Sequence, residues 1–330
     1  MGESVAVLGA GSWGTALAIH LANNQIDVNL WGHDPNHVTR LAALRENSEF
    51  LPGYKLPDNI RLEPSLEAAI DGVGSLLIAI PSRGFRSLLR SLQPLIDEKV
   101  SIFWASKGFE IESGKLLHEI LLEELPQHNY GVISGPTFAA EVARGMPAAI
   151  ACAGNNAEAT AHFAGLMHGN RFRCYSSEDV IGVELGGALK NVLAIAVGVA
   201  DGLGFGANTR AALMTRGLAE VMRLGVRLGA QQETLMGLAG LGDLILTCTD
   251  DQSRNRRFGL ALGRGKSVDQ AEIEVGQTVE GLYAARAIYL MAKRLEIELP
   301  IMEQVYRLLY EGKNPQDAVT DLENRPQRAE

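Results

Sequence analysis

The sequence predicts an α/β domain with a doubly wound parallel sheet over residues 1–177, followed by an all-α domain over residues 178–330. Two observations predict the first domain. Short runs rich in Val, Ile and Leu alternate with helical patterns, and the runs end in Gly, Pro or Ser. A third observation predicts the second domain, because after about residue 177 only long helical patterns remain.

The strands of the first domain are predicted from its apolar runs. Five of them read SVAVL, DVNLW, SLLIAI, VSIFW and YGVIS, and we expect PAAIACAG and RFRCYSS to add edge strands. In the second domain, helices are predicted over residues 178–225, 230–248 and 277–312. A short helix capped by Ser267 is expected between the last two, and the polar ending LENRPQRAE is expected to fray.

Composition limits the classes of function. The chain has 330 residues, of which 46% are hydrophobic and 21% charged, and its net charge is −9. This balance is typical of a soluble globular protein and argues against a broad nucleic-acid or acidic-membrane surface, since both need positive potential. The N-terminal sequence enters a strand pattern directly, so we expect no signal peptide and no membrane span.

The cysteines indicate a compartment. Cys152, Cys174 and Cys248 lie far apart without C-x-x-C spacing, so buried reduced thiols are expected and the cytoplasm is the predicted location. We find no metal-ligand spacing among the histidines, and no metal is expected.

The motif VAVLGAGSWGTALAIHLA places Gly9, Gly11 and Gly14 between a strand and a helix. The first glycine permits a tight turn, the second lets the backbone approach a pyrophosphate, and the third allows close packing of helix and strand. The helix N-terminus then offers free N–H groups to the anion. This context predicts a dinucleotide-binding loop rather than a structural glycine turn.

The end of the second strand bears on the choice of cofactor. NAD sites usually place Asp or Glu there, but here the strand ends in Gly32, His33 and Asp34. Gly32 avoids a carboxylate that would repel a 2′-phosphate, and His33 could bind that phosphate. A shift of one residue would restore an acid through Asp34. We therefore expect NADP to be accepted, with NAD also plausible.

One lysine stands out in the second domain. Lys190 is the only charged residue in the apolar helical segment from Gly186 to Ala200. Hydride reduction of a ketone builds negative charge on its oxygen, which needs a proton donor and nearby positive charge. Desolvation by apolar neighbours would disfavour the charged amine, and Asp243 is the expected partner that orients it. The alternative is a lysine whose stem only covers apolar surface.

Several further motifs carry a resemblance. They read WASKGFE, SGPTFAAEVARG, ELGGALKNVLAIAVG, GLAGLGDLILTCTDDQSRNRRFG and GQTVEG. Together with GAGSWG they resemble the bacterial NAD(P)-dependent glycerol-3-phosphate dehydrogenases, essentially from end to end. The resemblance implies an N-terminal Rossmann domain, a helical C-terminal domain like that of 6-phosphogluconate dehydrogenase, and a homodimer.

The resemblance also implies roles for individual residues. It makes Lys190 the proton donor to the C2 oxygen of dihydroxyacetone phosphate, with Lys107 and Asp243 completing the catalytic set. The residues implied to bind substrate are Lys107, Gly135, Thr137, Lys190, Asp243, Ser253, Arg254 and Asn255. The residues implied to bind the cofactor are Gly9, Gly11, Ser12, Trp13, Gly14, His33, Lys107, Ala139, Arg254 and Glu280. Thr137 stands where the family often has serine, and because the hydroxyl is retained we expect the substrate contact to be retained as well.

Two alternatives remain at this point. One is a dehydrogenase of the same architecture that acts on a β-hydroxy acid, since those enzymes also place a lysine on the first helix of the second domain. The other is a dinucleotide-binding regulator without turnover, which would need the glycine loop but not Lys190, Asp243 and Arg254 together. The motif GLGDLILT followed by SRN favours the glycerol-3-phosphate enzyme, whose usual role is to supply glycerophospholipid synthesis.

Overall fold

The computed structural model describes residues 3–169 and 171–326 of the chain. These residues form two compact units. The first unit comprises residues up to Lys107 together with Leu116–Glu184, and the second comprises Gly108–Lys115 together with the residues from Leu185 onward.

The first unit contains all the β-strands of the described residues. They are β1 (Ser4–Leu8), β2 (Asp27–Trp31), β3 (Glu46–Asn47), β4 (Leu51–Lys55), β5 (Ile60–Glu63), β6 (Ser75–Ile78), β7 (Ser101–Trp104), β8 (Tyr130–Ser134), β9 (Ala148–Gly154) and β10 (Phe172–Ser177). Within that part of the chain, β3 and β4 form a separate antiparallel hairpin and the other strands form one eight-stranded sheet.

The sheet has the strand order β10-β9-β8-β7-β6-β1-β2-β5. Neighbouring strands from β8 to β5 pair in parallel, which is the doubly wound arrangement with a reversal of strand order beside β1. The predicted fold class is therefore confirmed. One pairing differs from the expected parallel sheet, since β8 and β9 are antiparallel. The strand β10 then runs parallel to β9.

Helices cover the faces of this sheet. They are α1 (Ser12–Asn23), α2 (Pro35–Leu44), α3 (Leu66–Ile70), α4 (Phe85–Leu92), α5 (Leu117–Glu124), α6 (Ala139–Ala143) and α7 (Ala157–Met167). The strands β1 and β6 are almost entirely buried, which explains their uninterrupted apolar sequences. Between sheet and helices, Phe103 stacks on Phe163 with ring centroids 3.9 Å apart.

The second unit is helical. Its helices are the greater part of α8 (Val180–Gly202), then α9 (Ala207–Leu228), α10 (Gln232–Leu235), α11 (Asp243–Thr249), α12 (Arg254–Gly263), α13 (Val268–Val275), α14 (Glu280–Leu295), α15 (Pro300–Tyr310) and α16 (Pro315–Glu323). No strand follows β10 within residues 3–169 and 171–326, as predicted. Ser267 and Gln270 form the capping box that begins α13, which confirms the expected cap.

The predicted helical segments were too long, and each break has a physical cause. Residues 203–206, rich in glycine, separate α8 from α9. Residues 236–242 include three glycines and a π-helical turn between α10 and α11. Glu296 adopts a left-handed conformation with φ of +56°, and Pro300 then begins α15. The helices α12 and α16 were not predicted. Of the ending expected to fray, residues 327–330 lie outside the described residues.

By length and composition alone, the helix α8 could cross a membrane. In the structure, however, 83% of its most apolar window is buried, as is usual for a core helix. It packs closely on α12 because both helices carry glycines four residues apart. These are Gly198 and Gly202 on α8, with Gly259 and Gly263 on α12. A Cβ at any of them would collide with the backbone of the opposite helix.

Candidate active site

The glycine loop of the first unit connects β1 to α1. Gly9 has a φ of +129°, which L side chains rarely adopt, and a Cβ there would lie 2.5 Å from the carbonyl oxygen of Ala79. A Cβ on Gly14 would collide with the carbonyl group of Gly9. The loop therefore requires glycine at both positions, one for its turn and one for the close packing of α1.

The space beside this loop fits a bound pyrophosphate. A Cβ built on Gly11 would have none of the described protein atoms within 4 Å, so an anion can approach the backbone there. The first turn of α1, which contains Ser12 and Trp13, presents N–H groups that have no partner within the helix. Among the described residues none accepts a hydrogen bond from the buried Nε1 of Trp13. These features fit the dinucleotide that the sequence predicts.

The end of β2 is built around Gly32. A Cβ on this residue would lie 3.1 Å from the Cβ of Ala10 and 3.3 Å from Cγ2 of Val38, so a carboxylate side chain would not enter without movement. His33 is exposed. Asp34 caps α2, since its carboxylate accepts a hydrogen bond from the backbone of Asn36 at 3.0 Å. The acid that a one-residue shift would offer to a ribose therefore also serves as the cap of α2.

The carboxyl ends of β7 and β8 carry further predicted residues. These strands are parallel neighbours, so the segments that follow them lie at the same edge of the sheet. Lys107 follows β7 and is half-buried. After β8, a Cβ on Gly135 would lie 2.8 Å from the backbone of both Ala149 and Ile150. The Thr137 hydroxyl donates to the carbonyl of Gly135 at 3.3 Å, which leaves its lone pairs available as acceptors.

The amine of Lys190 lies in the interior of the second unit. The residue is 8% exposed, and its Nζ forms a short hydrogen-bonded ion pair with Oδ1 of Asp243, which is fully buried. A buried ammonium group needs such a partner, because leaving it unpaired costs several kcal/mol. The carboxylate that the sequence suggests as the orienting group is therefore the one in contact with this amine.

A π-helical turn at Leu238–Gly242 positions Asp243. Gly186 of α8 allows this turn to approach, since a Cβ there would collide with the carbonyl of Ala239. Lys190 is one helical turn beyond Gly186, so it lies on the same face of α8. The glycines that interrupt the predicted helix over 230–248 thus allow a contact between an acid and an amine that are 53 residues apart.

Two neighbours on α11 complete this environment. The Thr247 hydroxyl donates to Oδ1 of Asp243 at 3.4 Å. Burial raises the pKa of the Cys248 thiol to about 12, although the positive charges of Lys190 and Arg256 oppose that shift. Cys248 is therefore a protonated core residue rather than a nucleophile. Within the ranges that the structure describes, no group of three His, Cys, Asp or Glu residues could hold a metal ion.

The Ser-Arg-Asn motif forms the N-terminus of α12. Ser253 is the cap of this helix, because its hydroxyl oxygen accepts a hydrogen bond from the backbone of Arg256 at 3.2 Å. Arg254 and Asn255 occupy the first turn. The N-terminal end of a ten-residue helix carries partial positive charge and unpaired N–H groups, both of which favour a bound phosphate. This helix start, which the sequence reasoning missed, adds to the charge of the arginine.

The guanidinium of Arg254 lies near Glu280 at the start of α14. The residue is exposed, yet surrounding protein desolvates the guanidinium and lowers its pKa. The positive charge of Arg257 lowers this pKa further, whereas the negative charge of Glu280 raises it. Because an arginine begins with a pKa far above neutrality, Arg254 remains positively charged. Its planar group suits a phosphate oxygen pair. Glu280, assigned to the cofactor by resemblance, lies close enough to influence this group.

Comparisons with known proteins show the family of this chain. Residues 4–160 match the family model described as NAD-dependent glycerol-3-phosphate dehydrogenase N-terminus, and residues 179–320 match the C-terminus model of the same family. The chain belongs to the NAD-dependent glycerol-3-phosphate dehydrogenase family. It is 50% identical to glycerol-3-phosphate dehydrogenase [NAD(P)+] of Vibrio campbellii, over 99% of this chain and 95% of that one.

Two further relatives of this glycerol-3-phosphate dehydrogenase family member support the assignment. The protein of the same name from Vibrio cholerae is 51% identical over 98% of this chain and 95% of its own. A crystal structure of glycerol-3-phosphate dehydrogenase from Coxiella burnetii is 47% identical and superposes with a TM-score of 0.95, covering 98% of this chain and 99% of that one. The predicted family is therefore confirmed, as is an oxidoreductase that uses NAD or NADP. The roles of the individual site residues stay predictions.

The sequence did not predict the groups that hold the glycine loop in place. Asn47 of the β3–β4 hairpin is fully buried and donates to the carbonyl of Ala10 at 2.9 Å and to Thr15 Oγ1 at 2.8 Å. The Ser12 hydroxyl donates to the carbonyl of Phe50 at 2.5 Å. The hairpin thus supports the loop from the side. Its short, mostly polar strands gave no apolar run that could have predicted it.

The sequence also did not predict that the residues following β6 belong to the candidate site. The continuation of β6 at Ala79 contacts Gly9 and Gly14, and Ser106 after β7 donates from its hydroxyl to the carbonyl of Ile80 at 2.6 Å. These residues lie at the carboxyl edge of the central strands, beside the glycine loop. The available signal was the sequence IPS directly after a predicted strand next to β1, where ligand-binding residues of such sheets usually lie.

Proposed function

We propose that this chain catalyses the reversible NAD(P)H-dependent reduction of dihydroxyacetone phosphate to sn-glycerol 3-phosphate, and so supplies glycerophospholipid synthesis. The observation that carries the proposal is the buried ion pair of Lys190 with Asp243, in the same unit as the Ser-Arg-Asn helix start. Family membership and the names of the relatives support the choice of substrate.

The second unit supplies the acid and the phosphate site. Lys190 gives its proton to the C2 oxygen as negative charge develops there, and it recovers the proton in the reverse direction. Asp243 holds the amine in place and stabilises its charged form. Arg254 and the first turn of α12 bind the phosphate, with Ser253 adding a hydroxyl. Binding the phosphate at fixed distance from the amine converts binding energy into orientation of the carbonyl.

The first unit holds the cofactor, which when bound supplies or accepts the hydride. The glycine loop and the first turn of α1 bind the pyrophosphate. Ala139 of this unit and Glu280 of the second unit are proposed to border the cofactor. Lys107, Gly135 and Thr137 are proposed to contact the substrate, with Lys107 also polarising its carbonyl. Because Gly32 removes a carboxylate and Asp34 is used as a helix cap, we propose that both NADPH and NADH are accepted, with His33 binding the 2′-phosphate.

The decisive experiment combines substrates and variants. Initial rates are measured with dihydroxyacetone phosphate and with several β-keto acids, each with NADH and with NADPH. We expect turnover of dihydroxyacetone phosphate alone. Lys190→Ala is expected to abolish turnover while the fluorescence titration of NADPH still shows binding, whereas Arg254→Ala is expected mainly to raise KM for the phosphorylated substrate.

The chain offers matched controls for both variants. Lys266 and Arg264 are exposed residues of the same unit, so Lys266→Ala and Arg264→Ala should leave kcat and KM near the wild-type values. Turnover of β-keto acids only would replace the proposed substrate with that of the alternative dehydrogenases. Wild-type activity in Lys190→Ala would remove the proposed acid. Binding of the dinucleotide without turnover of any ketone would instead support the regulator.

We also propose a homodimer in the cytoplasm. Support for association comes from exposed apolar side chains on the second unit, which include Met236, Ile245, Ile273 and Leu290. Support for a reducing compartment comes from the three buried cysteines, which are free thiols in the structure. Light scattering coupled to size-exclusion chromatography tests the dimer, and a monomer at assay concentration would contradict it.

A further inference from the structure

A buried amide of the second unit joins three helices at one point. Asn255 of α12 donates from Nδ2 to Oδ1 of Asn191 on α8 at 2.9 Å. Its own Oδ1 accepts a hydrogen bond from the backbone of Gly281, at the start of α14, at 2.9 Å. Asn191 and Asn255 are 5% and 8% exposed. A buried amide whose hydrogen bonds are satisfied holds its neighbours in place. We call Asn191, Asn255 and Gly281 the amide bracket.

The backbone at this point leaves no room for a different arrangement. A Cβ on Gly281 would lie 2.7 Å from the carbonyl oxygen of Asn191 and 2.8 Å from Oδ1 of Asn255. Real Cβ atoms do not approach so closely, so the bracket depends on glycine there. The start of α14 therefore contacts both other helices directly.

The packing of α8 on α12 continues this constraint along both helices. The carbonyl of Ile195, one turn beyond Asn191, occupies the space of a missing side chain on Gly259. Gly198 and Gly202 repeat the pattern further along α8. Backbone contacts of this kind leave little freedom for the helices to slide, because closely packed elements have discrete arrangements.

The position of the bracket in the sequence is informative. Asn191 directly follows Lys190, and Asn255 directly follows Arg254. Successive Cα atoms are about 3.8 Å apart across a trans peptide, so each amide fixes the backbone from which its charged neighbour projects. One hydrogen bond thus connects the backbone beside the amine to the backbone beside the guanidinium.

We propose that Asn191, Asn255 and Gly281 are positioning residues that fix the spacing between the Lys190 amine and the Arg254 guanidinium. The proposal rests on the proposed function, in which the amine acts on the carbonyl of a substrate whose phosphate the guanidinium binds. The Asn255 amide has a second N–H, so its positioning role leaves a donor for the phosphate itself. The bracket selects substrates whose phosphate and carbonyl match this spacing.

The test separates spacing from general structure by using two substrates. Dihydroxyacetone has the same ketone as dihydroxyacetone phosphate but no phosphate, so its reduction does not depend on the distance to Arg254. In Asn191→Leu, which removes the acceptor, we expect kcat/KM for dihydroxyacetone phosphate to fall about 100-fold, as misplacement by about 1 Å can cause. The weak reduction of dihydroxyacetone should stay near its wild-type rate.

Two more variants complete the design. Asn191→Asp keeps an acceptor oxygen for Asn255 and should lose much less activity on the phosphorylated substrate than Asn191→Leu. Gly281→Ala disturbs the bracket from the backbone side without changing either amide, and it should reproduce the selective loss, including when Asn191→Leu does not fold. Far-ultraviolet circular dichroism checks the fold of each variant.

The outcomes are distinguishable. A selective loss on the phosphorylated substrate in Asn191→Leu or Gly281→Ala, together with the milder effect of Asn191→Asp, supports the positioning role. Parallel losses on both substrates, or equal damage from Asp and Leu, overturn it and leave the proposed function intact. If the wild-type protein does not reduce dihydroxyacetone phosphate at all, the proposed function itself has failed.

Discussion

The carboxyl group of Glu220 predicts a pH dependence of stability in the second unit. It is 3% exposed on α9, and it accepts hydrogen bonds from the backbone of Ile301 at 2.8 Å and of Met302 at 3.2 Å, in the first turn of α15. Burial raises its pKa from 4.5 to about 7, and the two N–H donors and the charges of Arg223 and Arg325 only partly oppose this. The fold therefore holds a proton that the unfolded chain releases.

The sign and size of the effect follow from that difference. Below pH 4.5 the carboxyl is protonated in both states, so burial carries no charge penalty. Between pH 4.5 and about 7 the unfolded chain is ionised while the folded chain keeps its proton, so the free energy of unfolding falls as pH rises. The pKa difference corresponds to a loss of about 3 kcal/mol, complete above pH 7.

The variant Glu220→Gln removes this titration. A glutamine can accept from only one of the two backbone donors and so carries a pH-independent cost. We expect the stability of the variant relative to wild type to rise by about 2.5 kcal/mol between pH 5 and pH 8, because a small part of the loss has already occurred at pH 5. Urea unfolding is followed by far-ultraviolet circular dichroism, which includes the long helices of the second unit. Tryptophan fluorescence reports the first unit instead, because Trp13, Trp31 and Trp104 all lie there. A difference that is constant across this pH range would refute the reasoning.

Two further predictions concern single contacts. Burial lowers the pKa of His118, but its 2.6 Å hydrogen bond to Glu184 and the negative charge of Glu184 outweigh this effect and raise the pKa above 6.5. The contact therefore stabilises the first unit fully below pH 6.5 and loses its effect as pH rises through the pKa of the folded state. In His118→Gln, the stability detected by tryptophan fluorescence should fall less steeply with pH than in wild type. Gly259→Ala should destabilise the second unit by about 2 kcal/mol in thermal unfolding, because the added methyl group meets the backbone of Ile195. The control Gly165→Ala lies on the exposed face of α7 with open space around it, so it should be neutral or stabilising by about 0.5 kcal/mol.

The sequence predicts the sheet well where burial is two-sided. The strands β1, β6 and β7 are enclosed on both faces, and their uninterrupted apolar runs follow from that. The antiparallel pairing of β9 with β8 could not be predicted in this way, because an apolar run does not show in which direction a strand runs. The strand β4, with the sequence LPGYK, contains proline and glycine and is largely exposed, so no propensity or period marked it as a strand.

The helical unit shows a similar division. In the structure, glycine-containing segments separate α8 from α9 and α10 from α11, but the glycines inside 230–248 were not interpreted as a break. The helix α12 was hidden because its first turn, SRNRR, has the composition of a solvated basic surface. In the structure Arg256 is buried and pairs with Asp201 at 2.7 Å and with Asp251. A partner 55 residues away cannot be inferred from local composition.

The lysine at the centre of the proposed site was predictable for a related reason. An isolated charge in a helix as apolar as α8 has few alternatives, since burial without a partner is costly and exposure is excluded by its neighbours. This argument requires a carboxylate but does not say which one, and only the π-helical turn brings Asp243 to the amine. The resemblance implied a substrate contact for Asn255, but the hydrogen bond between the two asparagines that follow Lys190 and Arg254 could not be predicted, because neutral amides carry no comparable electrostatic demand. Their mutual hydrogen bond joins the helices that carry the amine and the guanidinium, and this contact is what the proposed positioning role rests on.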